Sequence, residues 1–236
     1  MVFHVGHIVA KRLASPTVTI LELQVPTLAS FHPGQWVDFV APPHDWVGGF
    51  SLASSPNELP NLMLAVKASS QKPAQWVTSD SNVGDSVRVR VGGSCVLQKD
   101  FLQPAVFCAG GIGISPLLSL YRQHVQERGD NGKHASFLYL VSTEDELVFV
   151  EELIELASSR DDRLLVSLTR QNEWKKPLKG VECFTGRQVM QTFLSDDTSS
   201  DAIYYLCGPP SMLDEATNLL QQKDICSKRI VYEKWW

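Results

Sequence analysis

Several signatures are missing from this 236-residue sequence, and each absence removes a class of function. Cys95, Cys108, Cys183, Cys207 and Cys226 are an odd number, widely spread, with no CxxC pair, so neither a zinc or iron–sulfur site nor a disulfide framework is expected. No HExxH helix and no GxSxG elbow occurs, which withdraws the main support for a metalloprotease or a serine hydrolase. Basic residues are dispersed and the net charge is −5, so there is no electrostatic footprint for nucleic acid. No apolar run approaches the roughly 18 to 20 residues of a membrane span. The opening MVFHVGHIVAKRL shows neither a secretory h-region nor a cleavage site, and an intracellular protein is expected.

What is present is an ordinary globular composition, 44% hydrophobic and 20% charged, with 13 Pro and 15 Gly. The length suits two domains of about 100 to 130 residues. Up to about Val96 the chain offers short β-rich runs, Val18 to Val25, Trp36 to Val40, Leu62 to Lys67 and Ser86 to Val91, separated by HPG, PP and GG turns. A helical pattern is visible only near Ala74 to Thr78. This grammar predicts an antiparallel barrel or sandwich over 1–103.

From 104 to 236 the pattern changes to alternating strands and helices. AVFCA (105–109) leads through glycines into a helix with Leu117, Leu118, Tyr121 and Val125 at 3.6-residue spacing, ending near Gly129. SFLYLV (136–141) precedes a helix over Glu146 to Ser158, and RLLVSLT (164–169) a helix over Thr185 to Leu194. IYYLC (203–207) precedes one from Ser211 to Lys223, where Ser211 and Asp214 have capping-box spacing. Strands alternating with helices predict a parallel α/β sheet covered on both faces.

Four short segments carry chemical meaning. AGGIGISP (109–116) follows a strand and opens a helix, where glycines let the backbone approach a pyrophosphate and the helix dipole favours its charge. Ser115 is placed to cap that helix and Pro116 suits its first turn. The pattern is not GxGxxG, since Pro116 stands at the third glycine, and a tight structural turn is the competing reading. LCGPPSM (206–212) ends another strand, and parallel sheets collect ligands at that edge, which puts Cys207 near a nicotinamide or, alternatively, in the core. GGFSLASSP (48–56), at the start of a barrel strand, offers a ring at Phe50 and a hydroxyl at Ser51 for a flavin, or plain barrel packing. The chain ends VYEKWW, an acidic residue followed by two tryptophans.

In this order and separation, the four segments resemble the ferredoxin-NADP reductase superfamily over essentially the whole chain. The resemblance implies an N-terminal antiparallel Greek-key β-barrel that binds FAD, followed by a Rossmann-like parallel α/β domain that binds NAD(P). It places Phe50, Ser51, Leu52 and Ser54 on the flavin, with Gly48 where members carry an arginine that pairs with the flavin pyrophosphate. Lys67 to Val77 takes the place of a second phosphate-contacting segment, in which Lys67 or Lys72 could neutralise charge.

The same resemblance gives Gly110, Gly111, Ile112, Gly113, Ile114, Ser115 and Pro116, with Cys207, Gly208 and Pro209, as NAD(P) contacts. Thr169 and Arg170, assisted by Lys175 and Lys176, would meet the adenosine ribose. Trp235 or Trp236 would cover the flavin ring, and Ser51, Cys207 and Glu233 would stand at the reacting atoms. The function implied is hydride transfer from NAD(P)H to FAD and onward transfer to an unidentified small-molecule or protein acceptor. The alternative is a nicotinamide-binding redox sensor or interaction module that has lost its flavin. A monomer is expected. The GGFSLASSP segment and the tail are most like one subgroup of the superfamily, which implies the mitochondrial matrix, with the cytoplasm as the other option.

Overall fold

The computed structural model describes residues 2–96, 103–128, 134–196 and 201–234. Trp235 and Trp236 lie outside the described residues. Among the described residues no helix is long and apolar enough to cross a membrane.

The first half is built from β1 (His4–Ser15), β2 (Val18–Gln24), β3 (Trp36–Ala41), β4 (Trp46–Ser51), β5 (Asn61–Lys67) and β6 (Ser86–Gly92). They form one antiparallel sheet in the order β4-β3-β6-β1-β2-β5, and a bridge from Leu52 to Leu64 joins its two edges into a barrel. The alternation of strand side chains is plainest in β6, where Val87 and Val89 are buried while Ser86 and Arg88 are exposed. Inward residues including Ile8, Leu21, Leu23, Val37, Phe39, Leu64 and Val66 fill the core. Between β5 and β6 a short helix, α1 (Lys72–Gln75), runs into one wider turn at Trp76–Asp80 and covers one end of the barrel with Ala74, Trp76 and Val77.

The second half contains β7 (Ala105–Gly110), α2 (Ile114–Glu127), β8 (Ala135–Val141), α3 (Val150–Ser158), β9 (Arg163–Leu168), β10 (Glu182–Thr185), α4 (Val189–Asp196), β11 (Ile203–Gly208), α5 (Pro210–Gln222) and β12 (Ile230–Lys234). All strands run parallel in the order β10-β9-β8-β7-β11-β12. The central strands read as continuous apolar runs because both faces are covered. On one face Phe107 stacks between Phe137 (5.5 Å) and Tyr205 (5.1 Å) beneath α2 and α3. On the other, Val106, Cys108, Tyr204 and Leu206 pack against residues of α4 and α5.

The two halves meet along α2. Ser119 Oγ donates to the Ser54 carbonyl at 2.6 Å, and Arg122 donates to the Ala53 carbonyl at 2.8 Å while pairing with Glu58 and Glu152. At a second point Glu146 accepts from Thr17 and faces Lys67 at 4.0 Å. These contacts hold the end of β4 and the segment after it against the mouth of the parallel sheet.

Some expected details differ. The twelve-residue β1 carries no simple alternation, because its pairing with β2 shifts register twice, and it was not legible. GGFSLASSP lies at the end of β4, not at the start of a strand. The helix expected from Glu146 begins at Val150, since Phe149 adopts φ +61 and breaks the chain away from the preceding acidic turn. Thr185 belongs to β10, a short edge strand hidden in a polar stretch, and α4 starts later. The Ser211–Asp214 capping box does not form, because Pro210 occupies the first helical position and Pro209 caps the helix, leaving Ser211 inside it. Ser115 likewise lies within α2, whose cap is Gly113.

Candidate functional site

A cleft of about 520 Å³ opens between the β4 edge of the barrel and the carboxyl ends of β7 and β11. Phe50 and Ser51 line one side, and Gly110 to Gly113, Ser115, Cys207, Gly208 and Pro209 line the other.

The sheet wall is shaped by backbone meeting backbone. A Cβ on Gly113 would stand 2.2 Å from the Cys207 carbonyl oxygen, and one on Gly208 would stand 3.0 Å from the Gly110 Cα. Any side chain there would force the two loops apart. Gly111 is different: its φ of +55 favours glycine, and nothing lies within 4 Å of the position a Cβ would take. That opening faces the cleft beside the start of α2. Ser115 is buried on this wall, and its hydroxyl has no hydrogen-bond partner among the described residues. A loop with space at one glycine, an unengaged hydroxyl and the N-terminus of a fourteen-residue helix fits the pyrophosphate of a dinucleotide.

The barrel wall depends on side chains. Phe50 is half-buried and rests edge-on against Phe39, with ring centroids 5.5 Å apart. Its neighbour Ser51 pairs across the sheet with Trp36, and its hydroxyl makes no hydrogen bond within the described residues. This ring and hydroxyl fit the flat, polar-edged ring system of a flavin. The position of the superfamily's arginine is closed: a Cβ on Gly48 would stand 2.7 Å from Pro73 Cβ and 3.3 Å from Phe50 Cζ. The site therefore fits the flavin ring but lacks the arginine for its phosphates.

Behind the cleft, Glu233 pairs in register with Cys207, and its Oε1 lies 3.4 Å from where a Cβ on Gly93 would stand. Ser51, Trp36 and Gly92 are consecutive neighbours across β4, β3 and β6, and of the residues expected at the reacting atoms Ser51 and Cys207 line the cleft while Glu233 does not. Burial, then the neighbouring Cys95 and Glu233, push the Cys207 thiol well above the ordinary range, and Cys95 is pushed up to about 12 for similar reasons. Both therefore stay as thiols at neutral pH, and Cys207 acts here as shape and not as a nucleophile.

The remaining expected residues separate into groups. Ile112 lines the cleft, whereas Ile114 and Pro116 are buried in the first turn of α2. Leu52 points into the barrel core, and the Ser54 hydroxyl accepts from the Met63 N–H, so neither lines the cleft. Thr169 and Arg170 follow the carboxyl end of β9, on the same edge of the sheet but outside the cleft lining, with their backbone N–H groups donating to the carbonyls of Val141 and Ser142. The N–H groups of Lys175 and Lys176 donate to the Glu144 carboxylate, which tethers that loop.

Pro73 and Cys95 were not singled out by pattern. Pro73 matters only through what it touches across the barrel, and no sequence signal marks that contact.

A Greek-key barrel set against a parallel sheet, with a glycine-walled cleft at the strand ends, is the architecture of the ferredoxin-NADP reductase-like oxidoreductases. Residues 107–218 match the oxidoreductase NAD-binding domain. The chain is similar in structure to the Amycolatopsis cytochrome P450 reductase GcoB, with TM-score 0.84 and 21% identity over 99% of this chain and 69% of that one. It is similar also to a ferredoxin NADP+ reductase from Neisseria gonorrhoeae solved with FAD and NADP, with TM-score 0.80 and 16% identity over 99% of each chain. It is 33% identical to the oxidoreductase NAD-binding domain-containing protein 1 of Danio rerio, over 94% of this chain and 88% of that protein. The chain belongs to the oxidoreductase NAD-binding domain-containing protein 1 family, the subgroup that its GGFSLASSP segment and tail resemble.

Proposed function

We propose that the protein is an NAD(P)H-dependent flavin oxidoreductase, in which a nicotinamide dinucleotide on the sheet wall and a flavin on the barrel wall, FAD in the superfamily's usual form, share the cleft. The observation that carries this reading is the meeting of Phe50 and Ser51 with both glycine loops around one space of about 520 Å³. When bound, the flavin supplies the redox chemistry, accepting the two electrons of a hydride and passing them on singly or in pairs.

The chain's own contribution is placement. The Gly110 to Gly113 loop and Ser115 hold the dinucleotide backbone, and Gly208 and Pro209 set the depth of the nicotinamide end. Phe50 supports the flavin ring from the barrel side, and the Ser51 hydroxyl is free to donate to a ring nitrogen. The close approach of the Gly113 and Cys207 backbones keeps the Cys207 side chain buried at the rear of the cleft. No side chain has to remove a proton from the hydride donor.

The test is anaerobic titration of the purified protein with flavin and then with NADH and NADPH. Bleaching of the visible flavin band on adding a nicotinamide nucleotide is expected; retention of no flavin, or no bleaching, overturns the reading. Gly48 favours one second reading, a nicotinamide-binding sensor without flavin. Calorimetry showing nicotinamide nucleotide binding, with no flavin bound even after reconstitution, would select it.

A further inference from the structure

We propose that the barrel wall recognises the ring of a flavin and not its phosphate tail, so that the protein reduces flavins, riboflavin included, as exchangeable substrates. The proposal rests on the flavin oxidoreductase reading above. With a ring held at Phe50 and Ser51, the glycine loops and the strands close the deeper directions. The tail must leave along the passage between β4 and the segment that includes Ser69, Gln71 and Ala74.

Among the described residues, those that line this passage, Val47, Gly48, Ser69, Gln71 and Ala74, carry no charge. Among the described residues lining the cleft, Lys67 is the one ionisable amine or guanidinium, and its ammonium lies 4.0 Å from Glu146, on the side of Gly111 and Ile112. Lys72 does not line the cleft; its ammonium sits 5.6 Å from the centre of the Trp46 ring. Pro73 fills the space in front of Gly48 and, having no N–H, offers no backbone donor in the first turn of α1. A phosphate gains most affinity from charge-assisted contacts, and among the described residues lining this passage between β4 and Ala74 none carries a cation, while Pro73 removes one of the N–H donors of the first turn of α1.

The opposite wall has what the barrel wall lacks, with the open Gly111, the unpartnered Ser115 hydroxyl and the start of α2. The nicotinamide nucleotide is gripped by its phosphates while the flavin is gripped by its ring. In the reaction, the C–H bond at nicotinamide C4 breaks, its hydride carries two electrons to flavin N5, and a solvent proton completes the dihydroflavin. The products are NAD(P)+ and a reduced flavin that leaves the cleft.

The test is fluorescence titration of the full chain with riboflavin, FMN and FAD, followed by anaerobic turnover of a molar excess of riboflavin with NADH or NADPH. Dissociation constants within about tenfold of one another, with the excess riboflavin consumed one per nucleotide oxidised, are expected. A charge-assisted phosphate contact would exceed that ratio, so tighter binding of FMN or FAD by more than about tenfold overturns the proposal. Absence of binding by all three flavins instead defeats the flavin reading on which it rests.

Discussion

The two walls of the cleft are built by different means. On the sheet side, Gly113 and Gly208 are required because one loop's backbone touches the other's, and the groups turned to the cleft are backbone atoms and one serine hydroxyl. On the barrel side, Phe50 and Ser51 present side chains to the cleft, and Pro73 with the Phe50 ring occupies the slot where a longer side chain at position 48 would start. A backbone wall tolerates almost no substitution, whereas a side-chain wall can lose a function and keep the fold. That asymmetry teaches why the nucleotide motif reads cleanly while the flavin motif departs from its superfamily form.

The strongest way to break the sheet wall is from beneath. Arg128 and Asp162 form a buried ion pair under α2, and Asp162 also accepts from Tyr121 and the Ala135 N–H. Asp162→Ala removes this carboxylate from the buried guanidinium and from the Tyr121 hydroxyl and Ala135 N–H, and urea unfolding is expected to show a loss of about 3 to 5 kcal/mol. Next, Gly113→Val drives a side chain into the Cys207 carbonyl. Calorimetry is expected to show no measurable nicotinamide nucleotide binding, with a stability loss of about 1 to 3 kcal/mol.

A third test uses pH. Burial, then Arg128, push His124 down from 6.5 to about 4, with Asp162 opposing. Between those values the unfolded chain binds a proton that the folded chain refuses, so stability is complete above pH 6.5 and falls as pH drops toward 4. The loss reaches about 3 kcal/mol. Unfolding measured at pH 7 and pH 4.5 is expected to show this slope, and His124→Gln is expected to flatten it.

Two smaller effects sharpen the barrel side. Combining Gly48→Arg with Pro73→Gly opens the slot and supplies the cation, and FMN is expected to gain about tenfold or more over riboflavin in fluorescence titration. Phe50→Ala removes the supporting ring and is expected to weaken every flavin by about threefold to tenfold, with nicotinamide nucleotide affinity unchanged.

The architecture was largely legible. The short β-rich runs of the first half stand out between their turns, the apolar runs of β7, β8, β9 and β11 carry their own burial pattern, and α2 shows its buried face in Leu117, Leu118, Tyr121 and Val125. Irregular elements were not: β1 bends through two register shifts, and β10 is an edge strand with little burial to mark it. The site divided in the same way. Gly110 to Gly113 and Cys207 to Pro209 are local motifs that the sheet brings together at its ends, while Leu52 and Ser54, read from the same segment as Phe50, turn into the barrel core and toward the Met63 N–H.

By itself, then, the order of residues determined most of the stretches that become strands and helices and where glycine opens a turn between strand and helix, because periodicity and backbone freedom are properties of neighbours along the chain. Only the tertiary structure decided that Pro73 closes over Gly48, that Lys67 faces Glu146, and that Cys207 and Cys95 are held as thiols near Glu233. Those are contacts between groups distant in sequence, and their strength depends on burial and distance, which come into being when the barrel and the sheet meet.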